Sequence, residues 1–581
     1  MINLKDKIVG IACGMAEVFV QSEDEAVPRK YELLSAKVSR EVNRIASARL
    51  TYIDETCKEK LSDKEYFKPG NKIQISAGSV LSKELLFEGF VVRKSLKVKE
   101  GTSPTLVIEC KDEAVKLTTG ENSKYYYNST DSSIIEEIIG SYPGLKAAIE
   151  PTTVFHEEMV QYHATDWDFL LARTEANCQL IQTENGTLIS RMPSMTTTED
   201  TPTITNGRNV FDFHTKMDAR TQYETYAAAS WSPAEQKWII EEGEIDGMDE
   251  QGNVKPKELK EVTKSTKVIK HTGDLGEAEL KALADAADLK SKLARLIGHV
   301  KIDLSPLIKP GGVVKLEKFG ERFDGSIFVT AVQHEIARGA GYTHVQFGLP
   351  EEWEGGAASS RASGTTGGLL PSVQGLQIGI VTALEEDPKL HYRVKIRLPI
   401  VDDTGEGQWA RMAMTDAGEK RGLFFYPEIG DEVVVGFLDE DPRHPVILGM
   451  LHSKAKPAHI TPANDNHEKG LMTKSGIKLL FKDDKKQIEI STPAENSILL
   501  DEESKSLVIK DQNNNTITMD SKGITIESGA DLVLKAKNNI SLEGANITHT
   551  ASAKFKAEGT AGAELLTNAI NTIKGSLVQI N

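Results

Sequence analysis

Short apolar triplets recur along residues 488–555 at a nearly fixed step, opening at Ile488, Ile498, Leu507, Ile517, Ile524, Leu532, Ile540 and Ile547, with Phe555 a weaker ninth beat. The step settles from nine or ten residues to seven or eight. In most beats the outer two positions are apolar and the middle one is often polar, as in Ile517-Thr518-Met519, Ile524-Thr525-Ile526 and Ile540-Ser541-Leu542. That is the period-two alternation of a half-buried strand. Gly523, Gly529, Asn538, Asn539 and Gly544 lie between beats and read as turn residues. A solenoid coil that encloses its own core takes about 20 residues or more; eight residues make one strand and a turn, with no way to close. The missing walls must come from other copies. Three chains wound about one axis would pair every strand edge, so the stretch predicts an intertwined trimeric β-prism, a rigid needle. The alternative is an ordinary single-chain sheet.

Toward its end the ladder changes character. Ala551, Ala553, Ala557, Ala561 and Ala563 replace large aliphatics, which predicts a narrowed section before Leu577, Val578 and Ile580 form a blunt apolar end. Strand ends exposed there can accept a partner by β-augmentation. His549 sits in the inward phase, where three copies could meet on the axis, but packing explains the phase equally well and no HxH pattern accompanies it. No metal or cofactor is expected.

Upstream, the 581 residues predict about three or four domains. A net charge of −17 argues against non-specific nucleic-acid binding, which needs clustered Lys and Arg. The four cysteines, Cys13, Cys57, Cys110 and Cys178, lack zinc spacing and read as reduced structural thiols. No apolar run reaches the roughly 18 residues needed to span a bilayer. Ile8 to Val20 is interrupted by Glu17 and reads as a first strand rather than a secretory signal, so synthesis in the cytoplasm is expected.

Residues 31–120 read as β-rich, with Pro69-Gly70 turning between Phe67–Ile75 and Phe87–Val92, and Leu106–Cys110 a further strand. Ser132–Ile139 reads as a short helix. In "YHATDWDFLLARTEANC" (Tyr162–Cys178), Trp167, Leu170, Leu171, Thr174 and Cys178 fall at helical spacing, with Thr165 or Asp166 as the cap. His163 and Asp166 invite a catalytic reading, but no third partner is visible and a core helix explains them better. Residues 241–270 read as a charged surface excursion, followed by a helix presenting Leu280, Leu283, Ala284 and Ala287. Pro306–Glu317 and Arg322–Ile336 form a β-pair, in which His334 packs or lines a rim. The Gly/Ser/Thr/Ala stretch Gly355–Pro371 is the clearest boundary. Beyond it five β-signals, Gln377–Ala383, Tyr392–Leu398, Gln408–Met412, Glu432–Leu438 and Pro445–Leu451, suggest an OB-type barrel. The acidic run Asp439-Glu440-Asp441 and a shortage of exposed aromatics speak against an oligonucleotide ligand.

"GLFFYPEIGDEVVVGF" (Gly422–Phe437) followed by "DPRHPVILG" (Asp441–Gly449) resembles the OB domain of VgrG proteins and of related central spikes of contractile phage tails. "YHATDWDFLLARTEANC" and "RFDGSIFVTAVQHEI" resemble the hub of the same proteins, and the ladder resembles their trimeric β-helix. The expected fold is mainly β with some α: a hub with β-barrel subdomains over 1–354, a flexible linker over 355–371, an OB-fold domain over 372–455, a connector over 456–475 and the needle over 476–581. The resemblance implies a homotrimeric spike whose hub meets an Hcp-like inner-tube ring and baseplate proteins. Its tip, Ser576, Leu577, Val578, Gln579, Ile580 and Asn581, would receive a PAAR-type cap. It also implies effector cargo, transient contact with a target membrane, and delivery by type VI secretion, an extracellular phage-tail-like particle or a phage tail.

Enzyme signatures are absent: no HExxH, P-loop or GxSxG occurs, and the carboxylate pair Glu385-Glu386 has no pocket to give it meaning. Only residues 454–478 separate OB barrel and needle, too few for a lytic domain, and no effector domain follows Ile573–Asn581. A spike without catalytic activity is therefore expected. The rivals are a β-helical carbohydrate-active or peptidoglycan-cleaving enzyme and a trimeric adhesin.

Overall fold

The computed structural model describes residues 17–54, 59–79, 82–248, 256–350 and 370–580. The chain forms two compact units, Met1–His452 and Ser453–Asn581.

In the first unit a 13-stranded sheet is organised around Gly325–Ala337, which pairs antiparallel with Leu33–Glu41 on one side and Ala340–Phe347 on the other. Alternation decides what this sheet buries: Ala36 and Val38 of one strand, and Ala48, Leu50 and Tyr52 of Ser47–Ile53, point into a core with Phe67, Ile73, Ile75 and Ile108. Within the β-rich span 31–120, Leu33–Glu41 and Ser47–Ile53 are reversed at a turn where Asn43 adopts a left-handed φ of 59°.

Two helices, Asp131–Gly140 and Asp166–Ala176, cover a second core built on Ile135, Phe169, Leu170 and Met159. Each starts at a threonine cap: Thr130 accepts from Ser133 N and Thr165 from Asp168 N. Leu370, from the stretch expected to be a free linker, is fully buried in this core; residues 351–369 lie outside the described residues. The helix Glu277–Ala294 buries all four expected apolar residues against Thr225–Ser232 and Lys237–Gly243.

One reading needs correction. Residues 241–270 are not simply a solvated excursion, because Thr266–His271 forms a strand parallel to Thr225–Ser232. Its Ile269 packs against the small core under that helix, while Thr266, Val268 and Lys270 are exposed. A charged strand with one buried face mimics a loop in sequence.

All five expected strands of the next region appear and close into a barrel: Gln377–Ala383, Val394–Arg397, Gln408–Met412, Glu432–Phe437 and Pro445–Met450. Closure comes from a parallel pair, Arg411 with Val446 and Met412 with Ile447. Val381, Val394, Ile396, Ala410, Val433, Val435 and Ile447 fill it. The hub hairpin Asn122–Thr130 and Phe155–Ala164 adds Tyr125, Val160 and Tyr162 to the same core. Polar contacts fix the joint: Leu398 N donates to Tyr125 Oη (3.2 Å), Trp409 N to Glu158 Oε2 (3.2 Å) and Tyr127 Oη to Gly407 O (2.9 Å).

The second unit is a seven-stranded antiparallel meander, starting at Glu468–Met472 and Lys478–Lys482, within and just after the expected connector. It continues through Gln487–Ser491, Ser497–Asp501, Ser506–Lys510, Thr516–Asp520 and Gly523–Glu527. These strands pair within one chain, so intertwining is not required for this part of the ladder. Beyond Glu527 the described chain enters no strand.

Candidate functional site

The meander's register lines its apolar residues into two rows on one face. Phe481, Ile488, Leu500, Leu507, Met519 and Ile524 are successive cross-strand partners in one row. Leu471, Leu479, Ile490, Ile498, Ile509, Ile517 and Ile526 form the other. In the single chain this face has no cover: Ile490 is 43% exposed and Leu500 42%, whereas Ile73 and Ile75 of the hub are 0%. A soluble sheet face of this kind marks an interface.

The segment after Glu527 makes a stronger demand. Every described residue from 529 to 580 is exposed, including Leu532, Ile540, Ile547 and Phe555. Backbone amides and carbonyls outside any ladder must find partners when their side chains are buried. This stretch forms no ladder among the described residues.

Acidic side chains shape the reversals in the paired half. Asp501 Oδ1 accepts from Glu503 N, Asp511 Oδ1 from Asn513 N and Asn515 N, and Asp520 Oδ1 from Lys522 N. Lys486, Glu495, Lys505 and Asn514 take left-handed φ between 48° and 65° just before or near the next strand.

A second feature lies in the first unit, where an alternating chain of buried charge joins hub to barrel. Arg173 Nε donates to Asp131 Oδ1 (2.6 Å), and His156 Nε2 lies 3.0 Å from Asp131 Oδ2. Arg173 stands 4.0 Å from Glu279. From the barrel, Arg443 donates to both Glu279 Oε1 (2.5 Å) and Asp441 Oδ2 (2.7 Å). Burial opposes the charge on Asp441, but Arg443 and His271 outweigh it and hold the carboxyl well below its usual range. Burial likewise opposes the charge on Asp131, and Arg173 and His156 overcome it. Burial pushes His444 down to about 4. Its ring lies against Gly273, where a Cβ would collide with it. Asp441 therefore belongs to an ion pair, and the acidic run 439–441 is not a solvated patch.

The residues singled out from sequence do not gather into a site. His163 pairs with Glu121 (2.7 Å), while Asp166 accepts from Gln161 Nε2 and Tyr142 Oη. His334 is buried, with Nδ1 3.0 Å from Thr343 Oγ1 and its pKa pushed down to about 3 by burial. Glu385 and Glu386 do not line the cavity of about 340 Å³ between hub and barrel. His549 lies beside Phe555, with ring centroids 6.0 Å apart. Cys110 and Cys178 are free thiols pushed up to about 12 by burial; Cys13 and Cys57 lie outside the described residues. At the expected tip, Leu577, Val578 and Ile580 are exposed, and Asn581 lies outside the described residues. Sequence reasoning missed the charge chain, whose members are scattered from 131 to 443; the acid–base run Asp441-Pro-Arg-His was its one local signal.

Three family models match: the Alg8 N-terminal domain over residues 13–338, the type VI secretion system/phage-baseplate injector OB domain over 377–452, and the phage baseplate V C-terminal trimerisation domain over 487–551. The type VI secretion system spike protein VgrG1b of Pseudomonas aeruginosa is 26% identical over 212 residues, 35% of this chain and 27% of that protein. The actin cross-linking toxin VgrG1 of Vibrio cholerae is 35% identical over 101 residues, 16% of this chain and 9% of that protein. The matches thus span well under a third of either relative. A chain of the Francisella PdpA–VgrG complex in its lidded form aligns with a TM-score of 0.54 and 9% identity, over 90% of this chain and 80% of that one. At that identity the likeness concerns the fold.

Proposed function

Because the chain belongs to the VgrG spike family, with an Alg8 N-terminal domain at its front, we propose that it serves as the trimeric spike of a contractile injection machine. The observation that carries this reading is the uncovered double row of apolar side chains running into a segment with no pairing of its own. A threefold assembly buries the rows against each other and pairs the strands beyond Glu527 between chains.

In this reading the hub over 1–354 meets an inner-tube ring and baseplate, the barrel over 372–455 forms a collar, and the needle over 476–581 bears the load. Ser576–Asn581 receives a PAAR-type cap, and effectors travel with the spike through a target membrane. The spike's own role is mechanical rather than catalytic, in keeping with the spike proteins among its relatives.

Mass measurement of the full chain in solution tests the assembly. The expected particle weighs three times the 63.7 kDa chain, with a narrow protrusion in negative-stain images; a monomer would refute the proposal. For the tip, deletion of Ser576–Asn581 should abolish binding of a purified PAAR-type protein, and unchanged binding would remove that assignment.

A further inference from the structure

On the barrel, six large apolar side chains from one loop and one arm stand in solvent. Leu390 (82% exposed) and Tyr392 (77%) come from the loop before Val394–Arg397, and Leu423, Phe424 (69%), Phe425 and Ile429 from the arm before Glu432–Phe437. The expected shortage of exposed aromatics does not hold for this barrel, where Tyr392, Phe424 and Phe425 are exposed. These residues are not loose. Ala417 and Gly418 pair with Gly422 and Arg421 in a tight hairpin, and Leu423 N donates to Asp416 O (2.9 Å). Phe424 stacks on Tyr426 (4.4 Å), whose hydroxyl donates to Tyr392 O (2.6 Å), tying arm to loop. At the arm's base Gly430 N donates to Val381 O (2.8 Å).

Of this arm only Tyr426 packs against the barrel core, which is otherwise filled by the barrel strands and the hub hairpin, so Leu423, Phe424, Phe425 and Ile429 are left over. A preorganised apolar patch on a well-packed domain marks a contact with another macromolecule. The neighbouring copy is the occupant that continuity favours. The last barrel strand, Pro445–Met450, is followed by the connection 451–467 and then directly by the meander whose apolar face assembles the trimer. At about 3.3–3.6 Å per residue that connection limits how far three barrels can separate, so each arm has another barrel within reach at high effective concentration.

We propose that the Leu423–Ile429 arm and the Leu390/Tyr392 loop of each barrel grip the barrel of a neighbouring copy, making the collar a second trimer contact separate from the needle. This rests on the trimeric reading above. Around a threefold axis such a contact runs head to tail, each copy giving its arm to one neighbour and receiving the arm of the other.

The test is photo-crosslinking in the full-length chain carrying Phe424→p-benzoyl-phenylalanine. Irradiation should yield covalently joined chains with the link mapped to residues 372–455 of another copy. A companion Phe424→Ser/Phe425→Ser variant should remain a trimer by mass, yet show amide exchange over 417–429 at least tenfold faster than the parent trimer. A particle of trimeric mass with no chain-to-chain link, a link only to a different macromolecule, or unaltered exchange in the variant would overturn the collar contact while leaving the spike reading intact. A monomeric mass would overturn the spike reading itself.

Discussion

From Glu468 to Glu527 the second unit folds back on itself strand by strand, with Asp501, Asp511 and Asp520 holding three of the turns. From 528 to 555 the same apolar beat continues and then gives way to small residues, but over 528–580 no strand of the chain pairs with another. The difference tracks the step length to within one strand. Beats nine or ten residues apart leave four or five residues to reverse direction; from Ile517 on the beat shortens to seven or eight, and after one tight reversal into Gly523–Glu527 the pairing ends. One half of the needle thus lacks only a cover for one face, whereas the other lacks both cover and hydrogen-bond partners. In the proposed trimer, assembly supplies the first with burial and the second with its structure.

The largest expected effect breaks the shared need for cover. Ile490→Asp with Ile509→Asp places two carboxylates per chain in one apolar row. Each loses about 1.5–3 kcal/mol of burial and adds the cost of an unpaired buried charge, repeated three times at one level. Light scattering should find monomers, with the first unit still folded.

Arg443→Met, in the first unit, should separate intrinsic stability from assembly. It strands Glu279 and Asp441 without their shared guanidinium, a loss of about 3–5 kcal/mol. All five tryptophans precede residue 453, so tryptophan fluorescence should report a lower melting temperature there while the trimeric mass persists.

Acid should act on that same unit next. His444 at about 4 and His334 at about 3 stay neutral in the fold but take protons near pH 6.5 once unfolded. Unfolding therefore takes up protons, and stability falls as pH drops from about 6.5 to 4. Below about pH 4 the depressed Asp131 and Asp441 add to the loss. His444→Gln should flatten the slope of the fluorescence melt between pH 6.5 and 4.

The smallest effect refines the account of the paired half. Lys505→Gly frees a left-handed position (φ 53°) and should raise stability by about 0.5–1 kcal/mol per chain at most, read by denaturant titration of the trimer.

What was legible in the sequence was local. Period-two beats exposed the ladder, and Asp, Gly and Pro turns delimited all five barrel strands because each turn sits beside the strand it ends. The hub was legible only in part. The pairing of Val332 with Arg40, and the chain from Asp131 to Arg443, join residues hundreds of positions apart, and no window of sequence contains both ends. Thr266–His271 was lost among lysines because only one of its faces is buried. The change in the ladder's step after Ile517 was visible from the start, and its meaning emerged once the pairing stopped one strand later, after Glu527.

Amide hydrogen exchange over 468–580 in the assembled particle tests the central claim most directly. If other copies complete the needle, residues 531–573 will be protected as strongly as 487–510 in the trimer and will lose that protection on dissociation, while the paired half keeps part of its own. Rapid exchange of 531–573 in a particle of confirmed trimeric mass would contradict it.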